Sequence, residues 1–290
     1  MSKLENYQAQ YSCMTNENGG IVDDLLVYKF NDKKYMLVVN ASNIEKDWNW
    51  ISQHNNQSVT LSNVSDDMAL LAVQGPKAES ILQKLTDTNL SEIKYYHFTV
   101  GTLAGVENMI ISATGYTGAG GFELYFPAEK AEHVWNAIFS ESSEEVDVKP
   151  AGLGCRDTLR LEMGFCLYGN DINDDTNPLE AGLGWITKLN KGEFTASEKL
   201  KAIKSSGLER KLVGFKMIEK GIPRKDYQVV DMNGITIGQV TSGTQSPTLQ
   251  EGIGMAYVQN NYSAPESEIY IQIRDNKVKA KVCPIPFIKK

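Results

Sequence analysis

The sequence predicts an α+β fold: antiparallel sheets with helices, arranged in two halves, followed by a small C-terminal β-barrel. Three observations carry that expectation. Strands, helix, strands, helix occurs twice before residue 160, an order that suits antiparallel sheets covered by helices and not a parallel sheet. Beyond Arg210 the apolar runs shorten and are separated by Gly, Pro and Asn-Gly turns, as in a barrel. With 290 residues and 41% hydrophobic content, the chain can bury one large core or two ordinary ones.

The elements follow in order. Residues 9–14 alternate towards the turn Asn16-Glu17-Asn18-Gly19-Gly20, residues 21–30 form a second strand, and residues 35–39 a third. Asn43 then caps a helix whose Ile44, Trp48 and Ile51 recur at helical spacing and form a core stripe. Residues 68–73 read as a buried strand that breaks at Gly75-Pro76, and Pro76 opens a helix carrying Ala78, Ile81, Leu82 and Leu85. Further strands include 109–113 and 122–126. A helix with His133, Val134, Trp135 and Ile138 follows, and another bears Arg156, Asp157 and Arg160. The stretch 195–204 is helical. Short strands at 211–217, 228–231, 236–241 and 269–273 make the barrel. The linear division is an α+β domain at 1–193, a linker helix at 194–209 and a barrel domain at 210–290.

Composition narrows the function. The formal net charge is −7 with no Lys/Arg cluster, which argues against a nucleic-acid surface. No run approaches the roughly 18 apolar residues of a membrane span, and the N-terminus lacks a basic and then apolar signal region, so the expectation is a cytoplasmic protein without membrane contact. The four cysteines, Cys13, Cys155, Cys166 and Cys283, show no CxxC spacing and read as free, buried thiols. The three histidines, His54, His97 and His133, are far from one another and from cysteine in sequence, so no metal site is expected.

Two stretches could carry chemistry. After the Gly-paired turn, Ile21-Val22-Asp23-Asp24-Leu25-Leu26-Val27-Tyr28 places two carboxylates in a strand that favours apolar side chains. Alternation forces Asp23 and Asp24 to opposite faces. A carboxylate beneath the sheet costs several kcal/mol or more unless paired or hydrogen-bonded. Either one of the pair is a working acid or both are solvated on an edge strand. The second stretch is Gly115-Tyr116-Thr117-Gly118-Ala119-Gly120-Gly121, which ends at a strand bearing Glu123. It lacks the Lys and Ser/Thr of a P-loop. A carboxylate behind such a loop suits a flat heterocycle with two adjacent N–H donors; the alternative is a solvated strand residue.

Asn-Glu-Asn-Gly-Gly-Ile-Val-Asp-Asp-Leu-Leu-Val-Tyr closely resembles the signature hairpin of the glycine cleavage T-protein family, the tetrahydrofolate-dependent aminomethyltransferases. Further stretches agree over essentially the whole chain: Val-Val-Asn-Ala-Ser-Asn at 38–43, Gln-Gly-Pro-Lys at 74–77, Ala-Gly-Leu-Gly-Cys-Arg-Asp-Thr-Leu-Arg-Leu-Glu at 151–162, Thr-Asn-Pro-Leu-Glu-Ala-Gly-Leu at 176–183, and Val-Thr-Ser-Gly with Ser-Pro-Thr-Leu within 240–249. The resemblance implies a folate-binding domain in two halves before the barrel. It implies transfer of an aminomethyl group from the lipoyl arm of H-protein, release of ammonia and formation of 5,10-methylenetetrahydrofolate, without a metal. The family's catalytic aspartate falls on Asp24, which on this reading is the inward residue. Its pterin-binding glutamate falls on Glu123 and its folate-side arginine on Arg156, for which a structural bridge to Asp157 or Glu162 is the alternative. Tyr11, Tyr28 and Tyr116 match aromatic positions around the folate, and Leu26 and Asn40 complete the implied set.

Two departures accompany the match. The loop has Ala119 and Gly120 where the family carries an acidic pair, which puts loop rigidity in question. T-proteins also begin with a segment containing a strand, a helix and folate-pocket residues, and this chain opens where that segment ends. The expectation is a chain lacking it, with a folded barrel but weaker tetrahydrofolate binding. Related folate proteins of this architecture, demethylase-like or inactive, are the alternative. The cysteine-centred Lys-Gly-Cys-Tyr motif of one relative is absent, with Lys191-Gly192-Glu193-Phe194 in its place.

Overall fold

A computed structural model describes residues 3–288. The chain packs as two compact units, Met1–Tyr11 with Leu25–Leu153, and Ser12–Asp24 with Gly154–Lys290. Packing therefore groups the chain differently from a linear division after residue 193, because the tip of the first hairpin belongs with the C-terminal unit.

Strands β1 (Gln8–Thr15), β2 (Ile21–Asn31) and β3 (Lys34–Val38) form a three-stranded sheet in that order. Leu26 pairs Val38 and Tyr28 pairs Met36 in the β2–β3 ladder. Helix α1 (Ile44–Gln53) follows. Its Ile44, Trp48 and Ile51 are half-buried, and the buried residue of the helix is Asp47. The expected stripe exists as a pattern but is not core, and Asn43 holds the N-cap position without a side-chain cap hydrogen bond.

A second sheet of the N-terminal unit has the order β4-β7-β6-β5, all antiparallel, from β4 (Met68–Gln74), β5 (Phe98–Leu103), β6 (Val106–Ser112) and β7 (Gly121–Pro127). Alternation divides its side chains between two cores. Met109, Ile111, Phe122, Leu124 and Phe126 pack with Ile81 and Leu82 of α2 (Ala78–Leu82) and with Val134 and Ile138 of α3 (Ala131–Ser140). From the opposite face Ile110 and Tyr125 pack with Ala9, Tyr28 and Phe98. Each such fully buried large side chain stabilises the unit by roughly 1.5–3 kcal/mol.

The C-terminal unit contains α4 (Leu153–Glu162), whose first residue belongs to the other unit, α5 (Ser197–Ser206) and a closed barrel. The barrel order is β10-β11-β8-β13-β12-β9, from β8 (Arg210–Met217), β9 (Gln228–Val230), β10 (Thr236–Gln245), β11 (Gly252–Gln259), β12 (Glu268–Ile273) and β13 (Asn276–Cys283). Its interior is filled by Phe215, Val229, Val240, Val258, Ile269, Ile271 and Val282 among others. Two of these strands, β11 and β13, are additional to those expected from the sequence. β11 is buried along all but its last residue, so it shows no alternation. Its Gly254 lies against the Phe215 ring, where a Cβ would come within 2.5 Å of a ring carbon. No helix among the described residues is long and apolar enough to cross a membrane.

Candidate functional site

The chemistry-bearing residues form two clusters, one in each unit. In the N-terminal unit, Glu123 lies on β7 between Ala72 of β4 and Ser112 of β6. It is half-buried, and its Oε2 accepts hydrogen bonds from the Thr114 hydroxyl and from Tyr125 OH at 3.3 Å. Behind them, Tyr28 OH meets Ser112 Oγ at 3.1 Å, Thr114 Oγ1 at 3.1 Å and Tyr125 OH at 3.0 Å. Burial, followed by the Glu123 charge, raises the pKa of the Tyr28 and Tyr125 phenols. They stay protonated, so the carboxylate faces neutral hydroxyls able to donate.

The loop at 115–121 joins this carboxylate to β6. Gly118, Gly120 and Gly121 adopt positive φ, +118° at Gly121, a conformation that glycine enters without steric cost. A Cβ there would fall 2.3 Å from Val73 O. The Gln74 side chain ties the loop to β4: its Nε2 donates to Thr114 O and Phe122 O, both at 3.2 Å, and its Oε1 accepts from Thr117 Oγ1 at 3.0 Å. Without the acidic pair the loop is thus held from the neighbouring strand. Sequence reasoning missed Gln74, whose one signal was the Gln-Gly-Pro-Lys stretch.

In the C-terminal unit the turn at 16–20 sets the start of β2. Asn16 N donates to Gly20 O at 2.9 Å, and Asn16 Oδ1 accepts from Asn18 N at 2.9 Å and Gly20 N at 3.0 Å, the Asx-type closure that asparagine favours. Ile21 N donates to Asn173 O and Thr176 O, and Tyr168 OH to Ile21 O. A Cβ on Gly20 would land 1.6 Å from Asp174 O. Gly20→Ala is therefore expected to destabilise this unit by roughly 1–3 kcal/mol through forced backbone shifts, measured as a lowered denaturation midpoint; an unchanged midpoint would contradict the contact.

Asp23 and Asp24 follow on opposite faces, as alternation requires. The fully buried carboxylate is Asp23, at 0% exposure, and Asp24 is half-buried. The expectation that Asp24 is the inward residue is corrected accordingly. Burial, then Asp24 and Asp23, raises the Cys13 thiol pKa; burial, then Asp171 and Asp24, raises that of Cys166. Both thiols stay protonated and are poor nucleophiles. All four cysteines are free, as expected, but their burial is uneven: Cys166 is buried, Cys13 and Cys283 are half-buried and Cys155 is exposed, so burial was over-assigned from small-residue surroundings.

Arg156 is exposed on α4. Its suggested structural partners have other engagements. Glu162 accepts from the Ser246 hydroxyl and from Thr248 Oγ1 at 3.1 Å. Asp157 Oδ1 accepts from Arg160, Nε at 2.8 Å and Nη2 at 2.6 Å. Arg160 is fully buried and reaches further, Nη1 to Asp171 Oδ2 at 2.6 Å and to Phe165 O at 3.0 Å, and Nη2 to Ser242 Oγ at 2.8 Å. This polar knot was not foreseen beyond the naming of Arg160 on the helix.

Of the other expected site residues, Tyr11, Leu26, Asn40 and Tyr116 belong to the same unit as Glu123 and are half-buried, whereas Tyr28 is fully buried. Asp24 and Arg156 belong to the C-terminal unit. His54, His97 and His133 each bond a backbone carbonyl. Among the described residues no three or more of His, Cys, Asp and Glu form a group that could hold a metal.

The two parts of the chain match two family models: residues 1–191 match the GCVT N-terminal domain and residues 210–289 the glycine cleavage T-protein C-terminal barrel domain. The chain is 58% identical over 289 residues to an aminomethyltransferase of Flavobacterium psychrophilum, a match covering 100% of this chain and 80% of that protein. It is 61% identical over 281 residues to an aminomethyltransferase of Bacteroides thetaiotaomicron, covering 97% and 78%. The crystal structure of glycine cleavage system aminomethyltransferase T from Bartonella henselae is similar with a TM-score of 0.88 at 29% identity, covering 99% of this chain and 77% of that one. The chain belongs to the glycine cleavage T-protein family.

Proposed function

We propose that this chain transfers the aminomethyl group borne on the lipoyl arm of H-protein to tetrahydrofolate, releasing ammonia and forming 5,10-methylenetetrahydrofolate. The observation that carries the reading is the 58% identity with an aminomethyltransferase over the full length of the chain. The residues fit the acceptor. Glu123 is a half-buried carboxylate whose Oε2 is anchored by Thr114 and Tyr125, and a fixed carboxylate suits two parallel N–H donors such as a pterin edge presents. Tyr28 supports that anchor from within the core. Tyr11, Tyr116 and Leu26 offer apolar surface, Asn40 an amide, and Arg156 an always-charged fork for a carboxylate.

Tetrahydrofolate, when bound, supplies the nitrogens that accept the carbon. Asp24 provides negative charge where positive charge develops and handles the proton, work that requires a carboxylate open to substrate, and it is the half-buried member of its pair. On the same reading residues 1–193 form the folate-binding portion, 194–209 the linker and 210–290 the barrel, and the enzyme works in the cytoplasm.

The test is ammonia release from aminomethylated H-protein with and without tetrahydrofolate. Folate-dependent release supports the proposal; tetrahydrofolate binding without release would instead make the chain a folate-binding module. Glu123→Ala is expected to raise the Kd for tetrahydrofolate by roughly 10–100-fold while kcat at saturation changes less, because the lost bonds act in the ground state. An unchanged Kd in calorimetric titration would remove Glu123 from the site.

A further inference from the structure

Gln74 ends β4 opposite Gly121, and its amide touches the loop at three points. It donates to the carbonyl of Thr114 on one shoulder and to that of Phe122 on the other, each at 3.2 Å, and accepts from Thr117 Oγ1 in the middle at 3.0 Å. Thr117 Oγ1 in turn accepts from Ala119 N at 3.2 Å. The amide also fills the space at Gly115, where a Cβ would meet Gln74 Oε1 at 1.9 Å. Both shoulder residues bear on Glu123: Thr114 directs its hydroxyl to the carboxylate, and Phe122 precedes it in the chain.

We infer that Gln74 is a positioning residue for Glu123, holding the carboxylate in the orientation that a planar heterocycle with two adjacent N–H donors requires. The inference rests on the reading of Glu123 as the pterin-recognising group. A glutamine is suited to this place because one side chain offers both an N–H pair for two carbonyls and an oxygen for a hydroxyl. Two-point recognition also tolerates only about 10–20° of misorientation before one bond fails. Neither the β4–β7 ladder nor the two cores described above needs this amide, so its loss acts on the loop and not on the fold.

The experiment is a double-mutant cycle of Gln74→Leu and Glu123→Ala, read as the tetrahydrofolate Kd, the KM for aminomethylated H-protein and the melting temperature. Gln74→Leu is expected to weaken tetrahydrofolate binding roughly tenfold or more and to leave the H-protein KM within about twofold, with no further weakening when added to Glu123→Ala. Fully additive losses, or a parental Kd for Gln74→Leu beside a weakened Glu123→Ala, would overturn the positioning role while leaving Glu123 in place. A parental Kd for Glu123→Ala alone would overturn the reading beneath it. Should Gln74→Leu fail to fold, Gln74→Glu, which sets an oxygen against two carbonyls, and Thr117→Val, which removes the hydroxyl donor, take its place in the same cycle with the same expected coupling.

Discussion

Asp24→Asn is expected to lower turnover with aminomethylated H-protein and tetrahydrofolate by about 10²–10⁴-fold, the range that a positioned acid or base contributes. The amide keeps the size of the side chain and removes its charge and proton chemistry. Asp24 is half-buried, so the substitution leaves the packing of β2 largely undisturbed, and the melting temperature should move little. Asp23→Asn is the contrasting case. That carboxylate is fully buried, and its replacement acts on the stability of the C-terminal unit, while turnover per folded molecule stays near parental. Steady-state ammonia release normalised to folded protein, beside thermal melts of both variants, separates the two effects. Equal losses of normalised turnover at Asp23 and Asp24 would sink the assignment.

The contrast between these neighbours shows what the sequence could and could not convey. Alternation dictated that they face opposite ways, and resemblance pointed to Asp24, but neither told which face is the buried one. The head of the strand is held from far along the chain, by the Asn173 and Thr176 carbonyls that accept from Ile21 N. Local periodicity carries no information about such a distant partner. The same limit appears in the barrel. Strand β13, with Lys277, Lys279 and Lys281 alternating with Val278, Ala280 and Val282, was available to a period-two reading, although its lysines mask the short apolar face. Strand β11 was not, because burial on both faces erases the alternation. At α1 the pattern misled in the other direction: Ile44, Trp48 and Ile51 have core spacing but are only half-buried. At the Glu123 cluster the composition of the loop and the glutamate behind it were legible, whereas the hydroxyl cage of Thr114, Tyr125 and Tyr28 draws on the segment after β6, on β7 and on β2, and could not be read from any one of them.

The largest expected effect on stability belongs to Arg160. Its side chain carries five N–H donors, and each has an acceptor: Asp157 Oδ1 twice, Asp171 Oδ2, Phe165 O and Ser242 Oγ. Asp171 is itself fully buried and also accepts from Leu167 N at 2.9 Å and Ser242 Oγ at 2.8 Å. Taking two charges out of water is costly, and replacing such a pair together is often neutral, but removing one partner strands the other in a low-dielectric interior. Arg160→Leu is therefore expected to destabilise the C-terminal unit by about 3–5 kcal/mol, a fall of roughly 6–20 °C in its melting temperature for a unit of this size. Arg160→Lys should recover only part of this, since a single ammonium cannot reproduce the planar fork that serves Asp157 and Asp171 at once. Adding Asp171→Asn to Arg160→Leu removes the stranded charge, so the double variant should be more stable than the sum of the two single changes predicts. Differential scanning calorimetry of Arg160→Leu, Arg160→Lys, Asp171→Asn and the double variant checks the set, and strictly additive losses would show that Arg160 and Asp171 contribute as separate packing residues and not as a charge pair.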